Sequence, residues 1–116
     1  MHPIDCFNHH GQADARKVAF ILRSSVTELA VAAGVDLEEL QGPQMMSDET
    51  QNRFNNLVDV LNKVGPRFAT PVMAYQWYRS EPLAGFGGQT AMQLVQAGKA
   101  QQVVEYIEVV GAGIFY

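Results

Sequence analysis

Cysteine occurs once, at Cys6, and histidine only at His2, His9 and His10. A single thiol excludes an internal disulfide framework. Cys6 and His9 have tolerable spacing for one corner of a zinc site, but a structural site needs four ligands and the rest of the chain offers no Cys or His. No metal and no cofactor are therefore expected. Charge is also scarce: Asp, Glu, Lys and Arg make up 17% of the sequence, against a globular norm of about 25%. Long apolar runs are missing. No stretch reaches the roughly 18 apolar residues of a membrane span, and the polar segment 1–12 lacks a signal peptide's apolar run. A soluble cytoplasmic protein that does not engage membranes is the expectation. No segment alternates with the period of two that a half-buried strand requires.

What is present suits one compact domain or two very small ones sharing a core: 116 residues, 47% of them hydrophobic. The net charge is −4, the wrong sign for a protein that lives on nucleic-acid phosphates. The imbalance is local. Residues 1–52 hold eight acids and three bases, whereas residues 53–116 hold four acids and five bases. The front half is acidic and the back half near neutral.

Residues 1–12 read as an arm. Helical periodicity begins at Asp14, with Val18, Ile21 and Leu22 at i, i+3 and i+4, and ends near Arg23 or Ser24. Ser25-Val26-Thr27-Glu28 is a capping box that opens a second helix, closed by Gly34. Asp36 caps a short third helix. Gln41-Gly42-Pro43-Gln44 is the best internal boundary. Ser47 and Asp48 cap a helix carrying Phe54, Leu57, Val58, Leu61 and Val64 on one face, and Gly65-Pro66 ends it. Thr70-Pro71 opens an aromatic helix with Tyr75, Trp77 and Tyr78. After a Gly-rich turn, Thr90 to Gln93 is a second capping box whose helix Gly98 closes, and the last helix carries Ala100, Val103, Val104, Ile107 and Val110. The fold class is all-α, a small helical bundle.

Residues 14–40 have the outline of a helix-turn-helix. A third helix that reads bases presents Arg, Lys, Asn, Gln or Ser; here Asp36, Glu38 and Glu39 would meet phosphates with like charge. The segment is thus either a weak DNA reader, with Arg16, Lys17 and Arg23 touching the backbone, or a helical packing and dimerisation unit. Gly85-Phe86-Gly87-Gly88 lacks the spacing of a dinucleotide or P-loop fingerprint and reads as a tight interhelical turn. No nucleophile, base and oxyanion site assemble: the serines sit at caps or turns, and Glu105 and Glu108 form an i, i+3 pair on a polar face. No enzyme is expected. Trp77 and Tyr78 are successive and cannot both face one core, so one of them is expected to meet a partner. Ile114, Phe115 and Tyr116 form an apolar tail that either meets a partner or folds back on its own chain.

The run from Tyr75 to Tyr116 resembles the toxin-binding domain of the Xre/MbcA/ParS antitoxin family. The resemblance rests on the aromatic helix around Trp77, the turn Pro82-Leu83-Ala84-Gly85-Phe86-Gly87-Gly88-Gln89-Thr90, Gly98, the amphipathic helix with Val103 and Ile107, and the end Gly113-Ile114-Phe115. It extends through the helix from Asp48 to Val64. The family's short helix after the turn often begins Thr-Pro, whereas here Ala91 follows Thr90. The resemblance implies residues 13–44 as an Xre-type helix-turn-helix unit and 45–116 as the toxin-binding domain. It further implies an antitoxin that blocks an NAD-consuming RES-domain toxin, with Gly113, Ile114, Phe115 and Tyr116 at the toxin's active-site entrance and Trp77 and Tyr78 as neighbours. A homodimer is expected, and DNA is a doubtful partner. The competing class is a DNA-binding transcriptional regulator whose carboxy-terminal helices serve dimerisation; a third is a helical adaptor for another partner.

Overall fold

Every helix but the last begins where a short polar side chain can satisfy amide groups that the first turn leaves without an intrahelical acceptor. The computed structural model describes residues 14–41 and 47–111. Within them, helices α1 (Ala15–Leu22), α2 (Val26–Ala33), α3 (Leu37–Gln41), α4 (Asp48–Val64), α5 (Pro71–Ser80), α6 (Ala91–Gln96) and α7 (Ala100–Gly111) follow one another, and a 3-10 turn (Gly65–Arg67) lies between α4 and α5. The all-α expectation holds. The only strand-like pairing among the described residues is an isolated antiparallel bridge between Pro82 and Thr90, which closes the Gly-rich turn.

The caps at Ser25, Asp36, Ser47, Thr70 and Thr90 are those the sequence predicts, and Asp14 adds one at the start of α1. Asp14 accepts from the amides of Arg16 and Lys17, Ser25 from Glu28, Ser47 from Thr50, and Thr70 from Met73 with Pro71 in the first turn. Asp36 accepts from the Glu38 amide at 3.0 Å. Thr90 and Gln93 form the full reciprocal capping box. At α2 only the serine half forms, because the Glu28 carboxylate accepts instead from the Ser24 hydroxyl at 2.6 Å. The carboxyl ends of α1, α2 and α6 follow one scheme, in which a left-handed residue lets two amides turn back onto the last carbonyls. Gly34 and Gly98 fill that role after α2 and α6. After α1 the position is held by Arg23, at φ 54° and ψ 45°.

A single apolar core spans the chain. Val18 and Leu22 of α1, Leu29, Ala32 and Ala33 of α2, and Phe54, Leu57 and Leu61 of α4 pack in one cluster. Tyr75 and Tyr78 of α5, Leu94 and Val95 of α6, and Val103 and Ile107 of α7 complete it. Residues on both sides of the Gly42-Pro43 boundary thus bury the same surface. α2 touches α1, α3, α4 and α6, and α4 packs along α7.

Two long-range hydrogen bonds and one close approach fix α2 at the centre. Its last carbonyls have no intrahelical donor. The Tyr78 hydroxyl donates to Ala32 O at 2.7 Å and the Gln96 side-chain amide donates to Val31 O at 2.7 Å. Gly34, at φ +72°, lies so near α6 that a Cβ there would stand 3.0 Å from Gln96 Cα.

Gly34→Ala meets both a left-handed backbone and a backbone atom that cannot swing away, and is expected to cost about 1 to 3 kcal/mol in denaturant unfolding. The two buried tyrosines are expected to behave oppositely. Tyr78→Phe leaves a buried carbonyl without its donor and is expected to cost about 1 to 3 kcal/mol. The Tyr75 hydroxyl is buried with no hydrogen-bond partner among the described residues, so Tyr75→Phe is expected to leave stability unchanged or to raise it by up to about 1 kcal/mol. Equal losses in the two variants would contradict this account.

Candidate functional site

α5 divides its aromatic residues by phase. Tyr75 and Tyr78, one turn apart, both face the core and stack with ring centroids 6.2 Å apart. The Arg79 guanidinium lies over the Tyr75 ring, 4.4 Å from its centroid, a geometry that attracts cation to ring face. Burial raises the hydroxyl pKa of both tyrosines, Tyr78 the more strongly. Tyr78 has no exposed surface, so the expectation that it contacts a toxin is corrected: its hydroxyl is committed to Ala32, and a partner does not reach it.

Trp77 is the residue turned outward. It is half-buried and lines a concavity of about 310 Å³ together with Arg67, Phe68, Glu81, Pro82 and Tyr106. Phe68 meets it with ring centroids 6.4 Å apart at 49°. Tyr106, on α7, packs edge-on against Phe86 of the Gly-rich turn at 5.8 Å. The groove is therefore built from four segments: the stretch after α4, the outer face of α5, the residues Glu81 and Pro82 that follow it, and α7. One turn beyond Tyr106, Val109 is 65% exposed, so α7 carries apolar surface outward as it approaches its end. Gly113, Ile114, Phe115 and Tyr116 lie outside the described residues, as do His2, Cys6, His9 and His10. Among the described residues no cluster of His, Cys, Asp and Glu has the makings of a metal site. No helix of the described residues is long and apolar enough to cross a membrane.

The sequence signal for Trp77 is its place beside Tyr78. For Phe68 and Tyr106 the signal is weak, since Phe68 follows a Gly-Pro stop and Tyr106 sits at the edge of the Val103/Ile107 stripe.

The amino-terminal helices separate their charges. Arg16, Lys17 and Arg23 are exposed on and just after α1 and make no ion pair among the described residues. On α3, Asp36 and Glu38 face solvent, but Glu39 turns inward. Its carboxylate accepts from the Thr50 hydroxyl at 2.5 Å and from the Ser47 amide at 3.4 Å, and so ties α3 to the start of α4. The outward carboxylates of this helix number two, not the three the sequence displays. Glu108 likewise is engaged, pairing with Lys63 of α4 at 2.9 Å, while Glu105 accepts from Gln101 at 3.5 Å. In the Gly-rich turn, Gly85, Gly87 and Gly88 all take positive φ with open space where a Cβ would stand; what they supply is backbone conformation.

Comparison with known proteins finds no matching family model, no matching curated protein and no matching solved structure.

The hydrogen bonds from Thr50 and Ser47 lower the Glu39 pKa. A carboxylate more acidic in the folded than in the unfolded chain stabilises the fold above its unfolded pKa, and that contribution is lost as pH falls through the folded value. Glu39→Gln is expected to flatten the acid limb of the stability-against-pH curve below about pH 4.5, measured by urea unfolding across pH. An unchanged acid limb would show that the Glu39 contact does not persist in solution.

Proposed function

We propose that this chain is an antitoxin that binds and sterically blocks a RES-domain toxin in the cytoplasm, acting by stoichiometric capture and carrying no catalytic activity of its own. The observation that carries the reading is the aromatic groove at Trp77. A tryptophan held half-exposed by Phe68, next to Pro82 and Tyr106, offers the type of anchor that dominates protein–protein binding energy. One wall of this groove is α7, the helix that leads toward Gly113-Ile114-Phe115-Tyr116. An apolar plug of that composition, hinged on glycine, suits the mouth of a nucleotide cleft, and the near-neutral charge of the carboxy-terminal half spares it electrostatic repulsion on approach.

The second reading, a DNA-binding regulator built on a helix-turn-helix unit at 13–44, is favoured by the exposed Arg16, Lys17 and Arg23. Against it, Asp36 and Glu38 are the outward charges of α3, and a polyanion repels them. DNA binding by this chain alone is therefore weak and salt-sensitive under the antitoxin reading.

Removal of residues 113–116 is expected to abolish protection when the chain is co-expressed with a RES-type toxin. Trp77→Ala is expected to weaken toxin binding by about 2 kcal/mol, roughly 30-fold, with helicity by circular dichroism as the folding control. Full protection by the truncated chain would overturn the reading.

A further inference from the structure

We infer that the groove between α4 and α7 is a receptor for an arginine side chain presented by a protein partner. The groove is a concavity of about 440 Å³ whose lining includes Asn56, Asp59 and Lys63 of α4 and Ala100, Gln101 and Val104 of α7. Asn56, Asp59 and Lys63 recur at i, i+3 and i+7 and so share one face of their helix. Arg53 reaches Gln96, just before α7, and Lys63 reaches Glu108, toward its end. The two helices therefore run in the same sense, which brings Asp59 level with Val104.

Of the two charged side chains that line the groove, Asp59 is the one without a counter-charge. Its nearest candidate is Lys63, one turn further along α4, but the Lys63 ammonium lies 2.9 Å from Glu108. Asp59 makes no hydrogen bond and no ion pair among the described residues. Burial raises its carboxyl pKa, so the ionised form lacks water as well as a partner. Acceptors stand around it. The Gln101 side-chain nitrogen donates to Glu105 at 3.5 Å, which leaves the amide oxygen to the groove, and Asn56 offers a second amide oxygen. Ala100 and Val104 supply an apolar floor.

An arginine side chain matches each part. Its planar fork of donors bridges a carboxylate and amide oxygens, and its methylene stem lies along the apolar floor. An anion would be repelled by Asp59, and a divalent cation would need more carboxylate ligands than the single one that lines the groove. One ion pair in an open groove offsets little of a free molecule's lost translational freedom, whereas a side chain on a docked partner is already held in place. Val104 and Tyr106 are two residues apart, about 200° around the helix, so this groove and the one at Trp77 flank α7 on opposite sides. A partner that grips α7 engages both. The arginine site includes neither Trp77 nor residues 113–116, so its failure leaves the toxin reading untouched.

The test is an NMR titration of the full chain, at constant ionic strength, with an end-blocked tripeptide of arginine between two glycines. Saturable shifts are expected at the Asn56, Asp59, Gln101 and Val104 signals, with millimolar affinity. The same peptide with citrulline, which keeps the shape and loses the charge, is expected to bind at least about tenfold more weakly. Asp59→Asn is expected to weaken the arginine peptide by a similar factor. Val104→Lys, which sets a competing ammonium on the floor, is expected to do the same, with circular dichroism confirming equal helicity in both variants. A lysine peptide, which lacks the fork, is expected to bind several-fold more weakly than arginine. The inference is overturned if no such shifts occur, if citrulline or lysine binds as tightly as arginine, or if both variants bind undiminished. Micromolar binding of free agmatine equally overturns it, because the groove would then be a site for a small molecule.

Discussion

Two helix carboxyl ends meet at Gly34 and Gln96, and the rest of the molecule is arranged to make that meeting tolerable. Each end concentrates carbonyl groups without intrahelical donors and carries partial negative charge. Bringing α2 and α6 together there places like partial charges side by side. Three side chains answer the problem. Tyr78 from α5 donates to Ala32 O, Gln96 from α6 donates to Val31 O, and Arg53 of α4 reaches Gln96 O at 3.4 Å while also pairing with Glu49. A cation at a carboxyl terminus offsets the dipole; Arg53 bonds to the end of α6, and its Nη1 also lies close to Gly34 at the end of α2. The junction joins the three amino-terminal helices to the four that follow, which is why one core crosses the sequence boundary at Gly42-Pro43.

The same junction sets the orientation of the candidate binding surface. The bond from the Tyr78 hydroxyl to Ala32 O sets the side of α5 that faces α2. Successive helical residues differ by about 100° in direction, so a buried Tyr78 turns Trp77 away from the core toward Phe68 and Tyr106. The exposed aromatic residue is therefore the geometric consequence of a hydrogen bond made on the other side of the helix. A binding residue held by the core in this manner loses little further freedom on association.

Much of the fold was legible because capping is local chemistry. Ser25, Asp36, Ser47, Thr70 and Thr90 act within three residues of themselves, and Gly98 acts on the turn just before it. What the sequence could not display are contacts between distant residues: Tyr78 to Ala32, Gln96 to Val31, and Arg53 to Gln96. The same limit governs the site. Trp77 and Tyr78 are equivalent as sequence, and only the position of α2 decides which is buried. Phe68 and Tyr106 acquire meaning only when the segment after α4 and the helix α7 come together. Glu38 and Glu39 are likewise indistinguishable until Thr50 is brought to face one of them.

That last distinction changes what the acidity of α3 means. Because Glu39 is spent on the start of α4, part of the negative charge counted in the front half is structural, and the remainder lies on one outward edge. Helix α1 holds features that folding alone does not explain. An apolar ring left 85% exposed forgoes the transfer energy of burial, and Arg23 occupies a left-handed conformation that costs a non-glycine residue about 1 to 2 kcal/mol. Glycine at that position would remove the strain while keeping the turn that the amides of Arg23 and Ser24 make with Phe20 O and Ala19 O. Arginine adds charge next to Phe20 and nothing to the core. The strain at Arg23 and the exposure of Phe20 thus fall side by side, next to Arg16 and Lys17, which make no ion pair among the described residues.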